Sequence, residues 1–218
     1  MIITWHGKSC FSITAKGIPG TDVVSIVIDP FHPESGLKLP RNLQADLLLL
    51  THDHPSHNFR DGIQGTPFSV THPGEYEARG VFVYGIPTFH DKDSGATHGM
   101  NTMYRLEVEG ISLAHLGDLG HTLSDTQLGV LKDIDILFVP VGGGSTIDAV
   151  TAAEVVNEIE PRVVIPMHYA LSSRAPGDVQ KFLKTIGVPV PDPVDVLKIT
   201  KKDLPQDQMR VVVFTNPS

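Results

Sequence analysis

The chain has 218 residues, of which 17 are basic and 25 acidic, giving a formal net charge of −8. This balance argues against a nucleic-acid groove, which needs a dense basic stripe, and the short basic run at 198–202 is typical of a solvated face. The apolar fraction of 40% and the charged fraction of 19% are those of a globular protein with a substantial core.

No apolar run approaches the roughly 18 residues that span a bilayer, and the N-terminus lacks a signal-peptide pattern. Cys10 is the only cysteine, so no internal disulfide can form. We therefore expect a single cytoplasmic domain, residues 1–218, whose partner is a small-molecule substrate rather than nucleic acid or a membrane. The oligomeric state is left open.

The first predicted element is a hairpin of strands 2–5 and 10–14. Its turn contains Gly7-Lys8-Ser9, which looks like the end of a phosphate-binding loop. That interpretation fails because Ile2 stands where the first glycine of such a loop belongs and no helix follows.

The next strand, 23–29, ends in Asp29. An acid at a strand end either supports a metal-binding histidine through a hydrogen bond or serves only as a turn residue. We favour the supporting role because the following strand carries a cluster of histidines.

That cluster follows the apolar run 45–50, which predicts a short buried strand. Alternation along an extended chain places His52 and His54 on one face, and Pro55 turns the chain so that His57 returns beside them. Isolated surface histidines are the alternative. Three imidazoles within six residues instead indicate a site for zinc or a similar first-row metal ion.

Further strands at 68–71 and 81–88 lead to His90, another histidine at a strand end and a candidate ligand beside the first cluster. A hairpin of strands 101–108 and 111–114 leads to Asp118, which lies between two glycines. We expect an exposed carboxylate there that bridges two cations. His115 and His121 compete for this role, and we favour Asp118 with His115 in support.

The last third of the chain alternates helices with strands. Its glycine-rich turn contains Gly143, which either offers backbone N–H groups to an anionic substrate or merely permits a tight crossover, and both remain open. His168 follows strand 163–166 and is a further candidate ligand. The predicted helices are 124–131, 148–159 and 178–186, and the other strands are 134–140, 194–199 and 209–214.

The motif order resembles that of the metallo-β-lactamase superfamily, in particular its branch of small Zn-dependent hydrolases related to ascorbate-6-phosphate lactonases. The resemblance rests on the histidine cluster, Pro73-Gly74-Glu75-Tyr76, His115-Leu116-Gly117-Asp118 and Pro166-Met167-His168-Tyr169. It implies an α/β fold, a four-layer αβ/βα sandwich of two mixed β-sheets flanked by helices, with the metals at one edge between the sheets.

The resemblance also implies a site. The residues that match the first ion's ligands are His52, His54 and His90. Those that match the second ion's ligands are His57 and His168, and Asp118 bridges the two. One or two zinc ions are implied, with manganese possible. A metal-bound water or hydroxide would attack the substrate, and Asp118 and His168 would be the catalytic residues.

One position departs from the family pattern, because Ser56 stands where that pattern has an aspartate ligand. A neutral hydroxyl is a poorer ligand, so the second ion should bind more weakly. The main prediction is a metal-dependent hydrolase of a small anionic ester, lactone or phosphoester. The alternative is a metal-binding or sensing protein whose catalysis Ser56 weakens. A nucleic-acid-processing enzyme is a third and weaker interpretation.

Overall fold

A computed structural model of the chain describes residues 1–17, 23–170 and 177–217. Its strands are β1 (Ile2–Gly7), β2 (Cys10–Lys16), β3 (Val23–Ile28), β4 (Leu47–Leu49), β5 (Phe68–Val70), β6 (Gly74–Ala78), β7 (Val81–Phe89), β8 (Met100–Val108), β9 (Ile111–His115), β10 (Ile136–Pro140), β11 (Val163–Met167), β12 (Leu197–Lys198) and β13 (Arg210–Val211). The helices are α1 (Asp125–Val130), α2 (Ala149–Ile159) and α3 (Gly177–Thr185). Single 3₁₀ turns occur at Pro33–Ser35, Arg60–Gly62 and Lys201–Asp203.

The strands form two mixed sheets. The six-stranded sheet has the order β12-β1-β2-β3-β4-β5, in which β3, β4 and β5 are parallel to one another and the other pairs are antiparallel. The seven-stranded sheet has the order β13-β11-β10-β9-β8-β7-β6, with β9, β10, β11 and β13 parallel and the remaining pairs antiparallel. The predicted pair of mixed sheets is therefore confirmed.

The main core lies between the sheets, where Phe11 of β2 meets Phe138 of β10 with ring centroids 4.6 Å apart. A second core packs α1, α2 and α3 against the outer face of the seven-stranded sheet. The outer face of the six-stranded sheet is covered by the segments on either side of β4, residues 31–45 and the turn that ends at Ile63. Residues 31–63 contain two 3₁₀ turns, and the three α-helices of the described residues pack against the seven-stranded sheet.

The largest differences from the predicted elements occur at the sheet edges. Strand β6 was not predicted, because it is an edge strand whose side chains are mostly exposed and show no apolar alternation. Predicted strands 194–199 and 209–214 shrink to two ladder residues each, in β12 and β13. Helix α1 begins as predicted after Ser124, whose side chain forms a capping box with Gln127.

The connectivity brings several strand ends to one edge. Strands β7, β9 and β11 run in the same direction, since β7 and β9 both pair antiparallel with β8 and β9 is parallel to β10 and β11. The segments after β3 and β4 meet this edge from the other sheet. No helix among residues 1–17, 23–170 and 177–217 is both long and apolar enough to cross a membrane.

Candidate metal centre

Asp118 lies at the centre of a group of four histidines. Its Oδ2 atom is 3.1 Å from Nε2 of His57, 3.2 Å from Nε2 of His90 and 3.3 Å from Nε2 of His168. Nε2 of His52 is 4.0 Å away. These residues follow strands β4, β7, β9 and β11, so the fold brings side chains that can bind a metal together from distant parts of the sequence.

The ligand atoms fall into two sets that share Asp118. We call them the His52 group, which contains His52, His90 and Asp118, and the His57 group, which contains His57, His168 and Asp118. Within each group all ligand atoms lie within 4.8 Å of one another.

A metal ion fits these residues. Nε2 of His52 is buried and makes no hydrogen bond, which is costly unless another group satisfies it, whereas Nε2 of buried His57 is paired with the Asp118 carboxylate 3.1 Å away. A cation beside Asp118 would satisfy the Nε2 atom of His52. Imidazoles with one carboxylate form a donor set that suits zinc and other first-row ions.

His52 directs its free lone pair at the centre. The hydroxyl of Thr51 donates to Oδ2 of Asp29 at 2.7 Å and therefore accepts from Nδ1 of His52 at 3.0 Å. Nδ1 thus carries the proton and Nε2 is left unprotonated. Burial, with a smaller contribution from the charge of His57, lowers the pKa of His52 to about 3, so this imidazole is neutral at physiological pH.

His57 has the opposite electrostatic environment. It is fully buried, and its Nδ1 lies 2.9 Å from Oδ2 of Asp29. Burial alone would disfavour its charge, but the carboxylates of Asp118 and Asp29 outweigh burial and raise its pKa to about 10. In the chain without an ion, His57 is therefore an imidazolium between two carboxylates. It lowers the pKa of both acids although burial opposes that change.

Asp29 supports two histidines. Its backbone has a left-handed φ of 49°, and its fully buried carboxylate accepts the N–H and the hydroxyl of Thr51 in addition to its contact with His57. Of the two roles that the sequence allowed, the structure places Asp29 behind the ligands rather than in a solvent-facing turn.

The glycine-rich turn also supports a histidine. The carbonyl of Ser145 accepts from Nδ1 of His90 at 3.0 Å, which leaves Nε2 of that ring facing Asp118. The N–H of Gly143 donates to the carbonyl of Ile147, so it is not available to a substrate. The N-terminus of α2 is capped by the side chain of Asp148. The N–H groups of Gly143 and Thr146 are thus both used within the turn, as a tight crossover requires.

Asp118 is buried, with an exposed fraction of 2%, and the expectation of an exposed carboxylate is wrong. Two neighbours enclose it: the hydroxyl of Ser9 donates to its Oδ1 at 3.2 Å, and its own N–H donates to Oδ1 of Asn101 at 3.0 Å. A β-carbon at Gly117 would lie 2.3 Å from that same Asn101 oxygen, so this approach requires glycine.

His115 stands behind this arrangement and does not face the metal groups. Its Nδ1 accepts the N–H of Gly117, so its Nε2 carries the proton and donates to the carbonyl of Ser9 at 2.9 Å. Burial lowers its pKa and keeps the ring neutral. His121, the other competitor, accepts from the N–H of Phe89 through Nε2 and also lies outside both metal groups.

His54 is the predicted ligand that belongs to neither group. Its ring centroid is 5.9 Å from that of His52, but its Nδ1 accepts the N–H of Ser56 at 3.3 Å and lies 2.6 Å from the Ser56 hydroxyl. Because a backbone N–H can only donate, Nδ1 is unprotonated and the neutral ring carries its proton on Nε2. Ser56 therefore contacts His54, and it belongs to neither metal group.

Several supporting residues were not identified from the sequence. Thr51, Ser9, Asn101 and Ser145 all position ligands through hydrogen bonds. Only Thr51, directly before the cluster, offered a local signal. Asp91, the residue after His90, turns away from the metal groups and accepts four backbone N–H groups of segment 93–98, which lower its pKa to about 2.

Comparison with known proteins agrees with this geometry. Residues 2–168 match the model of the β-lactamase superfamily domain. A UPF0173 metal-dependent hydrolase from Thermoplasma acidophilum is 29% identical over 212 residues, which cover 85% of this chain and 90% of that protein. One from Thermococcus onnurineus is 30% identical over 191 residues, which cover 74% of this chain and 84% of that protein.

A solved structure is similar to this chain in both fold and sequence. The crystal structure of a candidate Zn-dependent hydrolase of the metallo-β-lactamase superfamily from Thermotoga maritima has a TM-score of 0.77 and 34% identity, and the match covers 98% of this chain and 97% of that one. The narrower resemblance to ascorbate-6-phosphate lactonases stays a prediction. The chain belongs to the metallo-β-lactamase superfamily and, within it, to the UPF0173 family of metal-dependent hydrolases.

Proposed function

We propose that this protein hydrolyses a small anionic ester, lactone or phosphoester at the centre formed around Asp118. The observation that carries the proposal is the meeting of four imidazoles at one buried carboxylate, with Nε2 of His52 left without a hydrogen bond. The membership of a hydrolase family supports the reaction type.

One or two divalent ions, zinc or manganese, would supply Lewis-acid polarisation of the substrate and a water of lowered pKa when bound. The chain's own residues supply position. Asp118 is held on both sides by Ser9 and Asn101, so its Oδ2 keeps one location between the two metal groups. We assign to Asp118 the orientation of the attacking water through an accepted hydrogen bond.

His168 borders the side from which a substrate enters. Its side chain is 25% exposed, whereas the side chain of His57 is fully buried. His168 also has a left-handed φ of 54°, and its N–H donates to the carbonyl of Lys8 at 3.2 Å. We therefore assign His168 as the ligand that also contacts the substrate.

The preference for an anion follows from the charge of the occupied site. Two divalent ions would bring a charge of about +4, and Asp118 is the only carboxylate shared by the two groups. Asp29 is separated from the ions by His57. A centre with excess positive charge, in a site closed to water on its inner side, favours an anionic substrate over a neutral one.

The test begins with metal content, measured by inductively coupled plasma mass spectrometry on protein purified without added metal. The same protein is then assayed on a panel of nitrophenyl esters, lactones and phosphodiesters, with zinc or manganese. We expect turnover of at least one anionic compound, lost on chelation and restored by metal. Absence of turnover across the panel, at full metal occupancy, would contradict the proposal.

A second candidate, metal binding or sensing with weak catalysis, is favoured by the contact of Ser56 with His54. The variant Ser56→Asp discriminates between the two. A gain of both metal occupancy and hydrolysis would indicate that the natural serine attenuates catalysis. A wild-type protein that is already active and is harmed by the change would indicate an enzyme adapted to serine.

A further inference from the structure

Lys8 occupies the turn between β1 and β2, at the edge where the metal groups lie. Its backbone has a left-handed φ of 52°, and its side chain is half-buried. Its carbonyl accepts two hydrogen bonds, from the N–H of His168 at 3.2 Å and from Nε1 of Trp5 at 2.9 Å. The backbone of Lys8 is therefore hydrogen-bonded directly to His168, a residue of the His57 group.

Ser9, the residue after Lys8, is also hydrogen-bonded to the metal centre. The hydroxyl of Ser9 donates to Asp118 and its carbonyl accepts from His115. Trp5 shares the Lys8 carbonyl with His168, and Tyr169 follows His168 in the sequence. The rings of Trp5 and Tyr169 pack with centroids 5.2 Å apart. The turn is thus fixed to the metal centre at several points, which limits where the Lys8 ammonium can lie.

The charge of Lys8 is available to a ligand. Lys181 and Lys201 lie within 4.0 Å of Asp148 and Asp135, but no carboxylate in the described part of the chain pairs with Lys8. Other lysines in the described residues also lack a carboxylate partner, but Lys8 lies in the turn that is hydrogen-bonded to His168 and Asp118.

We propose that the Lys8 ammonium binds an anionic group of the substrate, a phosphate or carboxylate. This group would lie next to the scissile bond of the substrate, which is positioned between Asp118 and His168. This inference rests on the proposed hydrolase function and adds to it the residue that selects for charge. Lys8 is a specificity residue, because an ammonium on a flexible stem suits a rounded anion, and its electrostatic contribution falls with added salt.

The experiment compares Lys8→Gln, Lys8→Arg and wild type, with Lys16→Gln as matched control at the opposite end of the same hairpin. Binding of inorganic phosphate to the zinc-loaded protein is measured by calorimetry at low and high salt. KM is measured for an anionic and a neutral ester from the panel. Metal content is measured for every variant, so that loss of the ions is not mistaken for loss of the anion site.

We expect Lys8→Gln to weaken phosphate binding and to raise KM for the anionic ester by about tenfold, as for loss of one charge-assisted hydrogen bond. The neutral ester, the metal content and Lys16→Gln should show no change, and Lys8→Arg should retain most of the affinity. Phosphate binding that is undetectable in wild type, or equal in wild type and Lys8→Gln, would overturn the role of Lys8.

Failure of the hydrolase proposal has a different signature. A wild-type protein that binds phosphate through Lys8 but hydrolyses no compound would remove the proposed function and leave the anion site in place. A protein that hydrolyses esters while Lys8→Gln leaves both KM values unchanged would keep the function and remove the role of Lys8.

Discussion

The two metal groups share Asp118 but differ in the charge of their histidines. In the His52 group, His52 is neutral, with a pKa of about 3, and its Nε2 lone pair already faces Asp118. In the His57 group, His57 has a pKa of about 10, and in the ion-free chain its imidazolium is ion-paired with Asp29 and Asp118. His90, in the His52 group, has a raised pKa, because Asp118 outweighs the burial that opposes its charge.

This difference shows that one carboxylate can be shared by two metal sites whose histidines differ in protonation before the metal binds. A cation entering the His52 group finds a free nitrogen on His52. A cation entering the His57 group must displace the proton of His57, because a metal ligand has to be deprotonated. We therefore expect the His52 group to fill first and the His57 group to fill with release of a proton.

The largest expected effect is that of Asp118→Ala, which removes the residue common to both groups. Metal should be lost from both, and kcat/KM should fall at least about a thousandfold, because several kcal/mol of charge stabilisation disappear. Metal content and steady-state kinetics measure the two losses. Asp125→Asn, an acid in the first turn of α1, is the control. Retention of one full equivalent of metal by Asp118→Ala would show that the groups do not share it.

Asp29→Asn should separate the two groups. It removes one carboxylate partner of buried His57, so we expect metal affinity at the His57 group to fall about 10–100-fold. The metal-free protein should lose about 3–5 kcal/mol of unfolding free energy, because a buried pair is broken. The affinity of the His52 group should change less. Metal titrations and urea unfolding measure these changes, and equal losses at both groups would argue against unequal sites.

The third prediction concerns pH and the metal-free protein. The pKa of His57 is raised from 6.5 to about 10 on folding, so its contribution to stability is complete below pH 6.5 and is lost as pH rises through 10. The unfolding free energy of chelated protein should therefore fall between pH 6.5 and 10, while affinity for the second ion rises over the same range.

Urea unfolding of chelated protein at several pH values checks the first part, and calorimetric titration with zinc in buffers of different ionisation enthalpy checks the second. His57→Gln is the control, because it cannot hold this proton and should lose the downward slope. A metal-free stability that stays level or rises across this range in the wild type would show that His57 is not protonated in the folded chain.

The sequence was sufficient to predict which strand ends carry the residues of the centre. His90, Asp118 and His168 each follow a strand, and parallel or equivalently directed strands end at one edge, so their approach follows from general topology. The two mixed sheets were predicted through the family resemblance of the same motifs. Asp91 shows the limit, since its side-chain direction depends on a loop that sequence alone does not define.

The rest depended on contacts between distant segments or on strand length. Asp118 is buried by Ser9, 109 residues away, and by Asn101, and no local pattern encodes this enclosure. The alternation that paired His52 with His54 assumed an extended chain, but β4 ends at Leu49 and the histidines lie in the irregular segment after it. That is why only one of the two directs a nitrogen at Asp118.

The smallest expected effect is that of Asp91→Asn, which leaves the ligands of both groups in place. The carboxylate of Asp91 accepts the N–H groups of Asp93, Gly95, Thr97 and His98, two on each oxygen. An asparagine offers only one acceptor oxygen, and its amide group would face two donors. Segment 93–98 should therefore lose order, although its sequence is otherwise unchanged.

This segment reaches the centre through His98, whose ring centroid lies 5.2 Å from that of His90. We expect Asp91→Asn to raise KM about threefold with little change in kcat or metal content, since only the rim of the His52 group is loosened. Hydrogen exchange at the four donor amides should accelerate, whereas Asp93→Asn, an exposed neighbour, should leave it unchanged. Loss of metal from Asp91→Asn would instead mean that the His52 group depends on this loop for its ligand geometry, and the two groups would then differ in support as well as in charge.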